Sequence, residues 1–97
     1  MASRLTSALF LTIFALSSGA AAVTCGVCAP TIFFEGLTRT LTNTREDTDN
    51  TFQCTYASPP ISGLAPACLY RNIDGVLTFT NVPGACPSVQ LVTKTAC

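Results

Sequence analysis

The chain has no histidine and no tryptophan, and only a tenth of its 97 residues are charged. Without histidine it cannot form a Ser-His-Asp triad, a Cys-His dyad or a His-ligated zinc site. Five basic and five acidic residues cancel, so no field of one sign favours a nucleic-acid partner. The missing tryptophan argues against a carbohydrate-binding module. We therefore expect a protein that is not an enzyme and that needs no cofactor or metal.

Long apolar runs are also missing, except at the N-terminus. Residues 1–22 have the pattern of a cleaved, helical signal peptide: Arg4 is the only charge, and an apolar stretch follows at 5–16. That stretch is too short to span a bilayer, which takes about 20 apolar residues. The small residues 20–22 suit a signal peptidase and predict Val23 as the new N-terminus. Since no lipid-anchor motif follows, we expect a secreted, extracellular protein without a membrane anchor.

Cysteine is the residue type that this chain has in excess. An oxidising export route and a small domain, residues 23–97, together favour disulfides over free thiols. We expect Cys68 to pair with Cys86, because they flank one predicted hairpin, and Cys97 to pair with one of the two N-terminal cysteines. The sequence does not otherwise choose among the pairings. The six cysteines predicted to form three bridges are Cys25, Cys28, Cys54, Cys68, Cys86 and Cys97.

The Cys25-Gly-Val-Cys28 stretch has the spacing of a redox pair or of half a zinc site. A thioredoxin-type pair needs a preceding strand and a following helix, and here Ala29-Pro30 follows. A zinc site needs a second such pair or histidines, and the sequence has neither. Structural disulfides are the preferred interpretation.

The remaining composition favours β structure. Threonine is abundant, and no segment after residue 23 has the apolar spacing of an amphipathic helix. Phe52, Cys54 and Tyr56 alternate with other residues and so share one face of a predicted strand, and Asp74-Gly75 predicts a tight hairpin turn. We expect an all-β, disulfide-stapled antiparallel meander of five or six strands, rolled into a sandwich or open barrel. The predicted strands are 31–34, 37–44, 51–57, 67–71, 76–80 and 88–93, with a charged turn at 45–50.

Two sets of carboxylates invite a functional interpretation. Residues 46–49 could offer oxygen ligands to Ca²⁺, but the spacing of an EF-hand loop is absent. Glu35 and Asp74 could serve as an acid and a base of the glycosidase kind. A solvated turn and isolated surface carboxylates are the preferred interpretations.

Threonine and tyrosine offer two further surfaces. Tyr56 and Tyr70 could stack on a sugar ring. A threonine row resembles the flat arrays of ice-binding surfaces, although a single strand does not make an array. The row consists of Thr38, Thr40, Thr42 and Thr44.

The segment 58–66 is the preferred interaction site. It contains three prolines and one glycine, which predict an exposed irregular loop, and Cys54 and Cys68 flank it. Small disulfide-rich protease inhibitors present a rigid loop of this kind, because preorganisation lowers the entropic cost of binding. The candidate contact residues are Pro59, Pro60, Ile61, Ser62, Gly63 and Leu64.

One resemblance spans roughly residues 50–90. The chain resembles small secreted cysteine-rich proteins of mushroom-forming (basidiomycete) fungi, most of which have no assigned activity, whereas the eight cysteines and two Cys-Cys doublets of hydrophobins are absent. The resemblance implies a secreted source and carries over no functional residue. It depends on Gln53-Cys54-Thr55-Tyr56, Pro59-Pro60-Ile61, Cys68-Leu69-Tyr70, Asp74-Gly75-Val76-Leu77 and Cys86-Pro87.

Together these features predict a secreted, monomeric, non-enzymatic protein that binds an extracellular protein or polysaccharide. Such a protein is effector-like, or interacts with a host or a cell wall. The alternatives are a protease inhibitor that uses the 58–66 loop and a surface-active coat protein.

Overall fold

A computed structural model describes residues 21–97, so the predicted signal peptide lies, apart from its last two residues, outside the described part. The described residues contain no helix, and hence none long and apolar enough to cross a membrane. They form eight strands: β1 (Val23–Val27), β2 (Thr31–Phe34), β3 (Leu37–Thr40), β4 (Asn43–Asp47), β5 (Thr51–Thr55), β6 (Ala67–Arg71), β7 (Leu77–Thr80) and β8 (Gln90–Lys94).

All the pairings are antiparallel, as expected. Strands β4, β5, β6 and β7 form one four-stranded meander, while β1 pairs with β8 and β2 pairs with β3 as separate two-stranded ribbons. The prediction of an all-β disulfide-stapled meander is confirmed. The number of strands is eight rather than five or six, and they lie in three sheets.

The prediction of one continuous strand over 37–44 is wrong. The chain leaves one sheet for another at Leu41, because the amide of Leu41 donates to Pro30 O (2.9 Å) and the amide of Thr42 donates to Thr55 O (2.8 Å). The threonine row is therefore divided: Thr38 and Thr40 lie in the β2–β3 ribbon and Thr44 in the four-stranded sheet. No flat threonine array results.

The predicted turn over 45–50 is also shorter than expected. Residues 45–47 continue β4 and pair with β5, and the reversal takes place at 48–50. Asp49 and Asn50 have φ values of 59° and 56°, in the left-handed region that aspartate and asparagine enter more readily than most residues. The charge run thus belongs to an exposed edge strand, where charged side chains remain solvated.

The core lies on the predicted face of β5 and on the same face of its neighbour β6, where Phe52 pairs with Tyr70 and Cys54 with Cys68. Phe52 and Tyr70 stack with their ring centroids 5.3 Å apart. Half-buried residues such as Leu41 and Leu64 pack around this centre. The fully buried members of the core are Phe52, Cys54, Tyr56, Cys68, Tyr70 and Val82.

All six cysteines are paired, and the disulfides are Cys25–Cys97, Cys28–Cys54 and Cys68–Cys86. The expected Cys68–Cys86 bridge is confirmed, and Cys25 is the N-terminal cysteine that pairs with Cys97. Cys25–Cys97 joins β1 to the segment that follows β8, whereas Cys28–Cys54 ties the residue after β1 to the four-stranded sheet. The redox and zinc interpretations of the Cys25–Cys28 spacing fail, because each cysteine bonds to a distant partner.

Candidate functional site

The loop 58–66 leaves the core between β5 and β6 and is fastened at both ends. The amide of Thr40 donates to Ser58 O at 2.6 Å, and the amide of Tyr56 donates to Pro66 O at 2.8 Å. Pro66 is fully buried, whereas Pro59 and most of the remaining loop are exposed. The loop is therefore an exposed segment on a fixed base.

The loop tip is a closed turn. The amide of Leu64 donates to Ile61 O at 3.3 Å. Gly63 has a φ of +76°, which a glycine at the third position of a type II turn adopts without strain. Ile61 and Leu64 are half-buried, and Leu64 packs against the core, so Ser62 and Gly63 are the exposed residues of this turn. The tip is thus held in one conformation from both sides.

A buried arginine braces the first half of the loop. Arg39, on β3, is only 3% exposed, and its guanidinium donates to Phe34 O (Nε, 3.0 Å) and to Pro59 O (Nη1, 2.7 Å). The ion pairs found within residues 21–97 involve other arginines. The positive charge of Arg39 is therefore stabilised by hydrogen bonds to carbonyl oxygens. Arg39 is a site residue that the sequence did not predict. The sequence feature that could have indicated its burial is its position between Leu37 and Leu41, on the apolar face of the predicted strand.

Replacing Arg39 by methionine should loosen the loop. The change removes two charge-assisted hydrogen bonds but keeps much of the apolar stem, and we expect it to lower the free energy of unfolding by about 2 kcal/mol. Amide hydrogen exchange within 58–66 should accelerate at least tenfold. Arg45→Met, on exposed β4, is the matched control and should leave the loop unchanged. Equal amide exchange rates within 58–66 for the two variants would show that Arg39 does not hold the loop in place.

In the acidic segment 46–49, the carboxylates of Glu46 and Asp47 already accept hydrogen bonds from other groups of the chain. Asp47 accepts from Arg45 (3.4 Å) and from the amide of Thr48 (2.9 Å), and Glu46 accepts from the Asn72 amide group. Within the described residues no three His, Cys, Asp or Glu side chains converge to hold a metal. These contacts favour a solvated surface segment, formed by the end of β4 and the following turn, over a calcium site.

The two proposed acid–base carboxylates lie in different turns. Glu35 occupies the β2–β3 turn, and Asp74 occupies the β6–β7 turn, where it forms an ion pair with Arg71. The hydrogen bond from Arg71 holds the pKa of Asp74 below its usual range. Asp74 therefore remains ionised, as suits a surface ion pair and not a general acid.

A buried asparagine, not predicted from the sequence, joins the β1–β8 ribbon to the sheet. The Oδ1 atom of Asn72 accepts from the amide of Gly26 (2.9 Å), and its Nδ2 atom donates to Glu46 Oε1 (2.7 Å) and Asn50 Oδ1 (3.2 Å). Between this ribbon and β4 lies a cleft of about 310 Å³, lined by Glu46 and Lys94 among others. Asn72 thus fixes one wall of the cleft against the other.

The interpretation of the tyrosines as sugar-stacking residues is wrong. Both rings are inside the core, and their hydroxyls donate to backbone carbonyls: Tyr56 to Ala29 at 2.8 Å and Tyr70 to Pro87 at 2.7 Å. Burial raises the pKa of Tyr56. Burial and, secondarily, the neighbouring Tyr56 raise the pKa of Tyr70 to about 12. The tyrosines are structural.

Alkaline titration should reveal this burial directly. An unfolded tyrosine loses its proton near pH 10, while the folded protein retains it, so the contribution of the two tyrosines to stability should be fully present below about pH 10 and be lost as the pH rises toward 12. The chain has two tyrosines and no tryptophan, so absorbance near 295 nm reports Tyr56 and Tyr70 alone. We expect ionisation to coincide with loss of circular dichroism. Reversible ionisation of both groups near pH 10 would contradict their burial.

No protein-family model matches the chain, and no significant similarity to a curated protein or to a solved structure was found.

Proposed function

We propose that this protein is secreted and acts by binding an extracellular protein or polysaccharide through the loop 58–66. Three intramolecular disulfides in a small chain are typical of extracellular proteins and support export. The observation that carries the proposed binding role is the fixed, exposed loop, with the Arg39 guanidinium bonded to Pro59 O at its base. The resemblance to small secreted fungal proteins implies a secreted source and carries no mechanism, so the effector-like or wall-interacting role depends on the loop.

The chemistry of the loop determines which kind of contact it can make. Residues 58–66 carry no charged side chain. Recognition must therefore depend on shape, apolar contact with Pro59 and Pro60, and hydrogen bonds to Ser62 and the exposed backbone. Because the conformation is already fixed, binding orders few groups, and this lowers its entropic cost. Affinity should consequently change little with salt concentration.

The proposal can be tested with a blocking substitution at the loop tip. Ser62→Arg places a large charged side chain at the exposed turn, and Thr93→Arg places the same group on exposed β8 as the matched control. The assay measures depletion of each variant from solution by insoluble chitin and β-glucan, and crosslinking to surface proteins of candidate host cells. Binding by the wild type and Thr93→Arg that is lost in Ser62→Arg supports the loop. Equal binding by both variants would place the contact elsewhere.

Protease inhibition is the second candidate, because the loop is braced between two strands that each carry a disulfide cysteine. An inhibitor would block a protease stoichiometrically and suffer at most slow cleavage within 58–66. A panel of serine, cysteine and aspartic proteases tests this. Rapid cleavage of the loop without loss of protease activity would exclude inhibition of the proteases tested.

A further inference from the structure

Solvent reaches the three disulfides to different extents. Cys97 is an exposed residue in the segment after β8, whereas its partner Cys25 is only 1% exposed. The other two bridges have no exposed member, since Cys86 is half-buried and the other three cysteines are buried. A thiolate must reach a sulfur atom before it can attack a disulfide, so the rate of exchange depends on access. Cys97 is therefore the disulfide-bonded cysteine that an external thiol reaches most easily.

The surroundings of the leaving sulfur favour the same bridge. Attack on Cys97 releases Cys25, which lines the cleft between the β1–β8 ribbon and β4 and lies outside the core cluster around Phe52. Attack on Cys28, which also lines the cleft but is 8% exposed, would instead release Cys54 as a thiolate in the fully buried centre of the core. Burial in apolar surroundings disfavours a thiolate. The two bridges that border the cleft thus differ in how easily they open.

Strand β8 depends on the Cys25–Cys97 bridge more than β1 does. Within residues 21–97 it pairs only with β1, and none of its own residues is buried. A two-stranded ribbon is only marginally stable by itself in water. Strand β1 is fastened independently, by the disulfide of Cys28, the residue that follows it, and by the hydrogen bond from Gly26 N to Asn72 Oδ1. Opening the Cys25–Cys97 bridge should therefore free β8 and leave β1 in place.

We propose that Cys25–Cys97 is a thiol–disulfide exchange site at which an external dithiol releases β8. One thiolate of the dithiol attacks Sγ of Cys97 and forms a mixed disulfide, and the bond to Cys25 breaks, so that Cys25 leaves as a thiolate. The second thiolate of the dithiol attacks the dithiol's own sulfur in the mixed disulfide, and Cys97 leaves as a thiolate. The two cysteines take up the two protons that the dithiol has lost. One protein disulfide is thereby reduced to two thiols, and the dithiol is oxidised to a cyclic disulfide.

Reduction at this site changes the cleft and leaves the loop 58–66 intact. Lys94 and Cys97 form part of the cleft wall, and they leave it together with β8. The loop joins β5 to β6, and the hydrogen bonds at its two ends involve Thr40 and Tyr56, neither of which belongs to the β1–β8 ribbon. The exchange site is therefore independent of the binding role proposed for the loop. The protein can respond to a reducing environment without losing that surface.

The test follows each bridge during reduction of the folded, oxidised protein by dilute dithiothreitol. Thiols formed at each time are blocked with one isotope of iodoacetamide, the remaining bridges are reduced and labelled with a second isotope, and mass spectrometry of the peptides gives a rate for every cysteine. We expect Cys25 and Cys97 to open together, about tenfold or more faster than the other four. Urea below the unfolding transition should leave their rate unchanged and accelerate the others, which open through unfolding. A different bridge that opens first, three equal rates, or equal acceleration by urea would overturn the proposal.

Release of β8 is tested in Cys25→Ala/Cys97→Ala and in wild-type protein alkylated after only the first bridge has opened. Amide hydrogen exchange in β8 should accelerate about tenfold or more in both samples, while the amides of β5 and β6 remain the slowest to exchange. Thr95→Ala, at an exposed position between β8 and Cys97, keeps the bridge and is the matched control, which should exchange like the wild type. Unchanged exchange in β8, or amides of β5 and β6 that exchange as fast as those of β8, would contradict the release of this strand alone.

Discussion

Gly26→Ala should lower the free energy of unfolding by about 3 kcal/mol. A Cβ atom at this position of β1 would lie 2.2 Å from both Cε1 and Cζ of Phe52. The Phe52 ring cannot easily yield, because it is fully buried and stacked on Tyr70. The methyl group must therefore push β1 away from the core and strain the hydrogen bond between Gly26 N and Asn72. Urea denaturation of the oxidised variant measures the loss.

Two further variants separate this clash from a general effect of changing β1. Thr24→Ala, at an exposed position of the same strand, should cost less than about 1 kcal/mol. Phe52→Leu makes room beside residue 26, so the double variant Gly26→Ala/Phe52→Leu should be more stable than the two single losses predict, by about 1 kcal/mol or more. Strict additivity, or a Gly26→Ala loss as small as that of Thr24→Ala, would refute the close contact.

Removing the Cys28–Cys54 bridge as the pair Cys28→Ala/Cys54→Ala should cost about 4 kcal/mol. The bridge closes a loop with a sequence separation of 26 residues. The chain-entropy model assigns roughly 3.5 kcal/mol to a loop of this length, and loss of the packed sulfurs adds to it. A domain of this size has only about 5 kcal/mol or slightly more in total. The variant should therefore retain only about 1 kcal/mol of stability and show a partly unfolded population at 37 °C by circular dichroism.

The matched control is Thr44→Ala, because Thr44 is the exposed cross-strand neighbour of Cys54. This variant changes the position next to Cys54 on the adjacent strand and leaves the disulfide intact. It should lower the free energy of unfolding by less than about 1 kcal/mol. If the cysteine variant were as stable as Thr44→Ala, the sheet and the ribbon would have to be held together by their packing and by Asn72 alone.

The parts of the fold that could be predicted depend on local patterns. Alternation along 51–57 predicted that Phe52, Cys54 and Tyr56 share one face, and Asp74-Gly75 predicted the β6–β7 hairpin. Both signals arise from residues that are neighbours in the chain, so no knowledge of distant partners was needed. The exposed loop 58–66 followed in the same way from its prolines and glycine.

The missed parts depend on partners far away in the chain. Strand β1 has no alternating pattern of its own and forms because β8 pairs with it and a disulfide closes the ribbon. The break at Leu41 follows from hydrogen bonds to two different sheets. Arg39 and Asn72 gain their roles from carbonyl and amide groups that the fold brings to them, and their residue types alone suggest exposed polar positions. Secondary-structure propensity and residue spacing carry no information about contacts between residues that are distant in the chain.

The central claim is that three specific disulfides hold a small all-β domain in the form that presents the loop 58–66. The most direct test is a disulfide map of the oxidised protein, obtained by proteolysis without reduction and mass spectrometry of the linked peptides. We expect Cys25–Cys97, Cys28–Cys54 and Cys68–Cys86, with the intact chain lighter than its reduced form by two hydrogen atoms for each bridge. A free thiol, a linkage between Cys25 and Cys28, or any other exchange of partners would contradict the account.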